Sequence, residues 1–189
     1  YIMKLCGMTL LYRDIRGSKD KIPISEAVRR IASAGFDAVD ANLVMICNQT
    51  LRLHTDDWKY EAEQIAIAVQ ETGIELAQCH LPYRGKKVKC HTPEDLEYYY
   101  EMFYRAIDVA AFLGIPWGVI HPETLREMNL SDDECCRINH EKNDKYIEYA
   151  LNKGLNIAYE NMTLGAKAGY CTYIDQLVHL IDSYSDPRI

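Results

Sequence analysis

Glu160 stands at the end of an apolar run, Gly154, Leu155, Asn156, Ile157, Ala158, Tyr159, and is followed by Asn161 and Met162. A carboxylate placed there is costly to bury alone, so a cation, a lysine or neighbouring backbone N–H groups must meet it. Two upstream runs end in imidazole instead: Ile74 to Cys79 leads into His80, and Trp117 to Ile120 leads into His121. Carboxylate and neutral imidazole together suit Zn, Mn, Fe or Co, whereas Mg prefers oxygen ligands. Taken singly, each histidine is equally well a hydrogen-bonded core residue. Recurrence at three equivalent run ends makes a shared metal site the stronger reading. Both histidines precede a proline-bearing turn, through Pro82 and Pro122, which fixes the chain as it leaves the run.

Other residues offer weaker chemistry. Asp40, at the end of Phe36 to Val39, could accept hydrogen bonds from sugar hydroxyls or simply cap the following loop. Trp58, Tyr83 and Trp117 could each stack on a sugar face, although an aromatic at helical spacing such as Trp58 is more often core. Glu123 and Asn161 are supporting candidates. Cys79 and His80 are adjacent in one strand, so their side chains point to opposite faces and cannot form a nucleophile and base pair. His54, His91, His140 and His179 fall on loops or helices away from the run ends and read as structural or solvated. The basic stretch Arg84, Lys86, Lys87, Lys89 could meet a phosphate or be a solvated loop.

These side chains need a scaffold that brings run ends together. Gly35, Gly73, Gly114 and Gly154 recur at intervals of 38, 41 and 40 residues, each just before an apolar run, as expected of helix C-terminal caps that lead into strands. The segments between them carry helix starts. Ser25 precedes Ala27, Val28 and Ile31; Thr55 precedes the apolar positions from Trp58 to Val69; Thr92 with Asp95, and Ser131 with Glu134, read as capping boxes. Thr172 to Ser183 reads as a further helix. Strands are expected at about Met3 to Gly7, Phe36 to Asp40, Ile74 to His80, Trp117 to His121 and Asn156 to Asn161, with Ile189 opening a sixth. Strict alternation of strand and helix builds a parallel α/β sheet with right-handed crossovers. Five units and a strand start match the first part of a (β/α)8 TIM barrel, which takes about 250 residues. A doubly wound open sheet is the competing architecture, but no glycine-rich phosphate loop follows strand one.

The chain of 189 residues, 48% hydrophobic and 26% charged, has the composition of one globular domain. Its net charge of −7 gives no electrostatic footprint for nucleic acid. No apolar run reaches the roughly 20 residues of a membrane span, and the N-terminus lacks signal-peptide features, so the expected compartment is the cytoplasm. Seven cysteines without a C-x-x-C pair speak for reduced thiols.

The segments "AGFDAVDANL", "CHLPY", "VIHPE" and "IAYENM" give the chain a resemblance to the xylose isomerase-like TIM-barrel superfamily, which holds sugar phosphate isomerases and epimerases together with endonuclease IV. The resemblance implies a divalent metal (Mn, Co, Zn or Mg) at the carboxyl end of the barrel, with Glu160 as a ligand that also takes part in proton transfer. Further ligands would come from strands six to eight. In endonuclease IV the strand-three and strand-four histidines are zinc ligands, which carries over to His80 and His121, and Tyr83 falls where that enzyme places a tyrosine near DNA.

The expected function is thus a metal-dependent sugar or sugar phosphate isomerase or epimerase working through an enediolate. Glu160 and His80 take the catalytic roles, and His121, Asp40, Tyr83 and Asn161 contact substrate. Glu160, His80 and His121 hold the metal. The alternatives are a zinc-dependent apurinic endonuclease, disfavoured by the acidic balance, and a catalytically silent partial barrel that serves as an interaction module. Residues 1–189 read as a single domain, incomplete at its C-terminus, whose open edges imply a longer chain or a homo-oligomer.

Overall fold

Four helices end on a glycine in the left-handed conformation: Gly35, Gly73, Gly114 and Gly154 have φ of +86°, +68°, +67° and +82°. Gly73 shows why the residue type matters. Its N–H closes the helix on the Val69 carbonyl at 2.8 Å, a geometry in which a side chain would be strained. In a computed structural model, described over residues 3–13, 22–49, 51–83, 92–125, 128–163 and 168–189, these glycines separate regular βα units. The strands are β1 (Cys6–Met8), β2 (Ala38–Asn42), β3 (Glu75–His80), β4 (Trp117–Ile120) and β5 (Asn156–Tyr159). The α-helices are α1 (Leu10–Arg13), α2 (Ile24–Ser33), α3 (Trp58–Thr72), α4 (Pro93–Phe112), α5 (Asp132–Asn152) and α6 (Ile174–Asp182). Two short 3-10 turns, Val44–Asn48 and Arg52–His54, lie between β2 and α3.

All strands are parallel, in the order β1-β2-β3-β4-β5. A doubly wound sheet reverses its strand order at a switch point; here the order never reverses, so the chain winds in one sense as a partial TIM barrel. Past β5 the chain continues the same way, since Ile157 donates its N–H to the Arg188 carbonyl at 2.8 Å. That bond places the approach to Ile189 along the outer edge of β5, as a sixth strand requires.

Both expected capping boxes form. Thr92 with Asp95, and Ser131 with Glu134, exchange side-chain and backbone hydrogen bonds at the starts of α4 and α5. The other starts differ from expectation. Pro23, not Ser25, flanks α2, and Ser25 is buried within its first turn. Asp57 flanks α3, because the Thr55 hydroxyl is used on the Arg52 carbonyl of the preceding 3-10 turn. Thr172 stays outside α6, its hydroxyl accepting from the Gly169 N–H. Strands β1 and β2 run about two residues later than expected, and β5 stops at Tyr159. Even so, Glu160 adds one more rung by donating its N–H to the Ile120 carbonyl. The basic stretch from Arg84 to Lys89, with Cys90 and His91, lies outside the described residues.

The core fills the space between sheet and helices. Val39 and Ala41 of β2, Leu76 and Cys79 of β3, Ile120 of β4 and Ile157 of β5 meet Val28, Ile31, Ile65, Ile107 and Ile147 of the helices. Burial raises the Cys79 thiol pKa far above its ordinary value, with the charge of Asp40 adding to it, which makes the residue an inert packing group. The six cysteines among the described residues are all free thiols. No described helix is long and apolar enough to cross a membrane.

One irregularity governs the opposite face of the sheet. Val39 pairs with Leu76 but Asp40 pairs with Gln78, so Ala77 is an extra residue in β3. In a regular strand Leu76, Gln78 and His80 would share one face. The inserted residue lets Leu76 enter the core while Gln78 and His80 turn to the other face with Asp40.

Candidate metal centre

His80 closes β3, Glu160 follows β5, and His121 follows β4 between them, so three adjacent strands deliver their terminal side chains to one rim. Glu160 Oε2 lies 3.3 Å from His80 Nε2 and 2.9 Å from His121 Nε2, and the three donor atoms all fall within 4.8 Å of one another. The imidazoles stand edge to face, with centroids 6.0 Å apart. Tyr83 lies flat on the His121 ring at 4.1 Å and 13°, which fixes that ring's plane.

The environment of the three side chains is uneven. His80 and His121 side chains are 11% and 18% exposed, whereas Glu160 is 46% exposed. Burial opposes protonation of His80, but the hydrogen bond and charge of Asp40 and the charge of Glu160 outweigh it and raise the pKa above that of an ordinary imidazole. His121 goes the other way. Burial lowers its pKa, the neighbouring His80 lowers it further, and Glu160 only partly compensates.

The arrangement fits a divalent cation. Donors that sit 2.0–2.1 Å from one ion stand about 2.8 to 3.4 Å apart at octahedral to tetrahedral angles; both carboxylate–imidazole separations fall in that interval, and the two imidazole nitrogens lie within 4.8 Å of each other. His121 Nε2 is buried and, among the described residues, meets no polar group other than the Glu160 carboxylate 2.9 Å away, with which it makes no well-aligned hydrogen bond. A buried ring nitrogen left in that state is satisfied if both it and the carboxylate face a third body.

Asp40, expected to meet substrate hydroxyls, is 4% exposed and engaged elsewhere. Its carboxylate accepts from Gln78 Nε2 at 2.7 Å and lies 2.8 Å from His80 Nδ1. Asn161 is exposed just after Glu160, outside the cluster. Trp117 sits at the amino end of β4, 39% exposed, and so lies at the opposite end of the strand from the site; its reading as a stacking platform there is corrected. Trp58 packs edge-on against the exposed Phe112 and is itself partly buried against the core. His54 bonds the Leu51 carbonyl, His140 joins Asp144 and Ser183, and His179 faces Asp133, and none of the three belongs to the cluster.

Beside the cluster is a cavity of about 300 Å³, walled by Tyr83, Tyr99, Phe103, His121, Glu123 and Asn143 among others. The loop carrying His121 into this wall is held by Asn139 of α5, which is 0% exposed. Asn139 Oδ1 accepts from the Glu123 N–H at 2.7 Å, and its Nδ2 donates to the Glu123 and Cys135 carbonyls at 3.2 and 2.9 Å. Sequence reasoning passed over Asn139 and Gln78. The signal for Asn139 was an amide four residues after Cys135 on the buried stripe of a helix; Gln78 gave only its two-residue spacing from His80.

The family pattern for the xylose isomerase-like TIM barrel matches residues 28–189. The chain belongs to this family. No curated protein matches the sequence. Among solved structures, a D-tagatose 3-epimerase-like protein superposes with a TM-score of 0.68 at 18% identity, covering 97% of this chain and 62% of its own. The 3-keto-D-glucoside 4-epimerase YcjR from E. coli, in its apo form, gives 0.64 at 16% identity, covering 96% and 64%. The IolI protein with a bound zinc atom gives 0.62 at 12% identity, covering 96% and 59%. At these identities the likeness is one of fold, and the chain spans less than two thirds of each. Xylose isomerase-like barrels, as TIM barrels generally, present function at the carboxyl rim of the strands, which is the rim that holds His80, His121 and Glu160 here.

Proposed function

We propose that the chain supplies the first five βα units of a divalent-metal-dependent sugar or sugar phosphate epimerase or isomerase, with His80, His121 and Glu160 as metal ligands. The observation that carries the reading is the cluster itself: a carboxylate oxygen shared between two ring nitrogens, one of them buried and, among the described residues, without a well-aligned hydrogen bond. Epimerases among the structural neighbours favour inversion next to a carbonyl, and the zinc-bearing neighbour favours a metal in this barrel.

When bound, a divalent ion supplies Lewis acidity toward a carbonyl and its neighbouring hydroxyl. Glu160 is suited to move the proton. Both imidazole contacts fall on Oε2, and the side chain is half exposed, so Oε1 can reach a carbon alpha to the carbonyl, take its proton and leave an enediolate. Return of a proton to the opposite face needs a second acid, which a complete barrel supplies from its later units. His80 is engaged at both ring nitrogens, by Asp40 and by the cluster, and so holds the site together, and the Tyr83 and His121 stack forms one wall of the neighbouring cavity.

Metal analysis of the purified full barrel, followed by proton NMR of ketoses and ketose phosphates in D2O, tests the proposal. A bound divalent metal and exchange at one carbon next to the carbonyl are expected. A metal-free protein that exchanges no proton in any of these sugars would overturn it. Cleavage of abasic-site DNA in place of sugar exchange would favour the endonuclease alternative, which the net charge of −7 speaks against.

A further inference from the structure

Asp40 meets two groups from the neighbouring strand. Gln78 Nε2 donates to Oδ2 at 2.7 Å, while His80 Nδ1 lies 2.8 Å from Oδ2 and 3.1 Å from Oδ1. An ionised carboxylate only accepts, so the proton between the two residues belongs to the ring nitrogen. With Nδ1 carrying it, a neutral His80 has its lone pair on Nε2, the atom 3.3 Å from Glu160 Oε2. Gln78 in turn holds Asp40 in place.

We infer that Asp40, braced by Gln78, is a positioning residue that locks His80 in its Nδ1–H form and presents the Nε2 lone pair to the cluster. This replaces the substrate-binding role read from the sequence. The register shift at Ala77 is what permits it: without the extra residue, Gln78 and His80 would face the helices with Leu76, and Asp40 would be a buried carboxylate with neither partner. Orienting a ligand imidazole through its second nitrogen is a general device of metal sites. The inference rests on the metal reading for its consequence but not for its test, since the proton position can be read without metal.

The experiment is long-range 15N–1H correlation on metal-free, 15N-histidine-labelled protein in alkaline buffer, where the imidazoles are neutral. Wild type is expected to show His80 protonated at Nδ1 and bare at Nε2. Asp40→Ala removes that acceptor and leaves Glu160 as the carboxylate at the ring, so the proton is expected to move to Nε2. Zn2+ affinity should then fall by about 10- to 100-fold. Asp40→Asn, whose amide oxygen can still accept from Nδ1 if Gln78 reverses its own amide, is expected to restore the wild-type ring state and most of the affinity. Asp40→Leu fills the same space without an acceptor and is expected to behave as Asp40→Ala does, whereas a residue that merely filled space would be rescued by it.

Nε2–H on wild-type His80 overturns the inference, and that measurement needs no variant to fold. So does an Asp40→Ala protein that keeps Nδ1–H, or one that changes ring state with unaltered Zn2+ affinity. A wild type with Nδ1–H that fails to bind Zn2+ would instead defeat the metal reading and leave the Asp40 role standing.

Discussion

Replacing Asn139 by alanine removes the clamp between α5 and the loop that carries His121 and Glu123. Three hydrogen bonds disappear, and they differ in consequence. The Cys135 carbonyl remains in the hydrogen-bonding range of its own helix, whereas the Glu123 N–H and C=O both lose their Asn139 partner. An unsatisfied buried backbone group costs about 1 to 3 kcal/mol. The cavity beside Glu123 lets water reach part of the gap, so a total of about 3 kcal/mol is expected, a large share of the roughly 5 to 15 kcal/mol that holds a domain together. Asn139→Asp should be no milder, because it keeps the acceptor for the Glu123 N–H but turns an oxygen toward two carbonyls. Urea unfolding followed by circular dichroism measures the loss, and Zn2+ titration of the folded variant reports on the loop, since His121 is two residues from the released backbone. A stability change under about 1 kcal/mol together with unchanged Zn2+ affinity would refute the view that this amide sets the loop.

Glu160→Gln keeps the side-chain shape but removes its charge; metal affinity measured by calorimetry should drop more steeply than in Asp40→Asn, with little change in melting temperature because the side chain is half exposed. Zn2+ or Mn2+ at 100 times its dissociation constant should stabilise the wild type by about 2.7 kcal/mol, read as a rise in melting temperature that a chelator reverses. Metal loading should decline on acidification, and earlier than for a free imidazole, because Asp40 and Glu160 raise the His80 pKa and protons must leave before metal binds. Glu160→Gln should move that decline to lower pH, followed by competition with a coloured metal indicator. Gly118→Ala places a methyl group 3.0 Å from both Leu81 Cδ1 and Leu155 Cδ2 and is expected to cost about 1 to 3 kcal/mol of unfolding free energy.

The repeat and its punctuation were legible because their causes are local. A glycine that must take positive φ, and a Thr or Ser three residues before an acid, act through their own turn of backbone, and both capping boxes and all four glycine stops stand where their residues place them. Where two local solutions competed, the sequence was ambiguous: Ser25 and Thr55 are good caps in isolation, but Pro23 and a 3-10 turn displaced them. The meeting of His80, His121 and Glu160 could be anticipated from their shared position at strand ends. The partners of Asp40 could not, because simple alternation puts Leu76, Gln78 and His80 on one face and gives no sign that Ala77 breaks the count. Asn139 escaped for a similar reason, since two of its three partners are backbone atoms of a loop 16 residues away and carry no residue type to read.

The unreversed strand order has a consequence for the time course of synthesis. Every ladder among the described strands joins consecutive units, so the sheet can lengthen from its first strand as the polypeptide leaves the ribosome. The rim is different. His80 and Glu160 are separated by 80 residues, a stretch that takes roughly 4 to 16 seconds to translate at about 5 to 20 residues per second. In the second half of that interval, once His121 has emerged, two imidazoles are present without their carboxylate, and the fifth strand is the one that completes the cluster. An ion captured there would act as a late fastener between the fifth unit and its predecessors, rather than as a nucleus for the sheet.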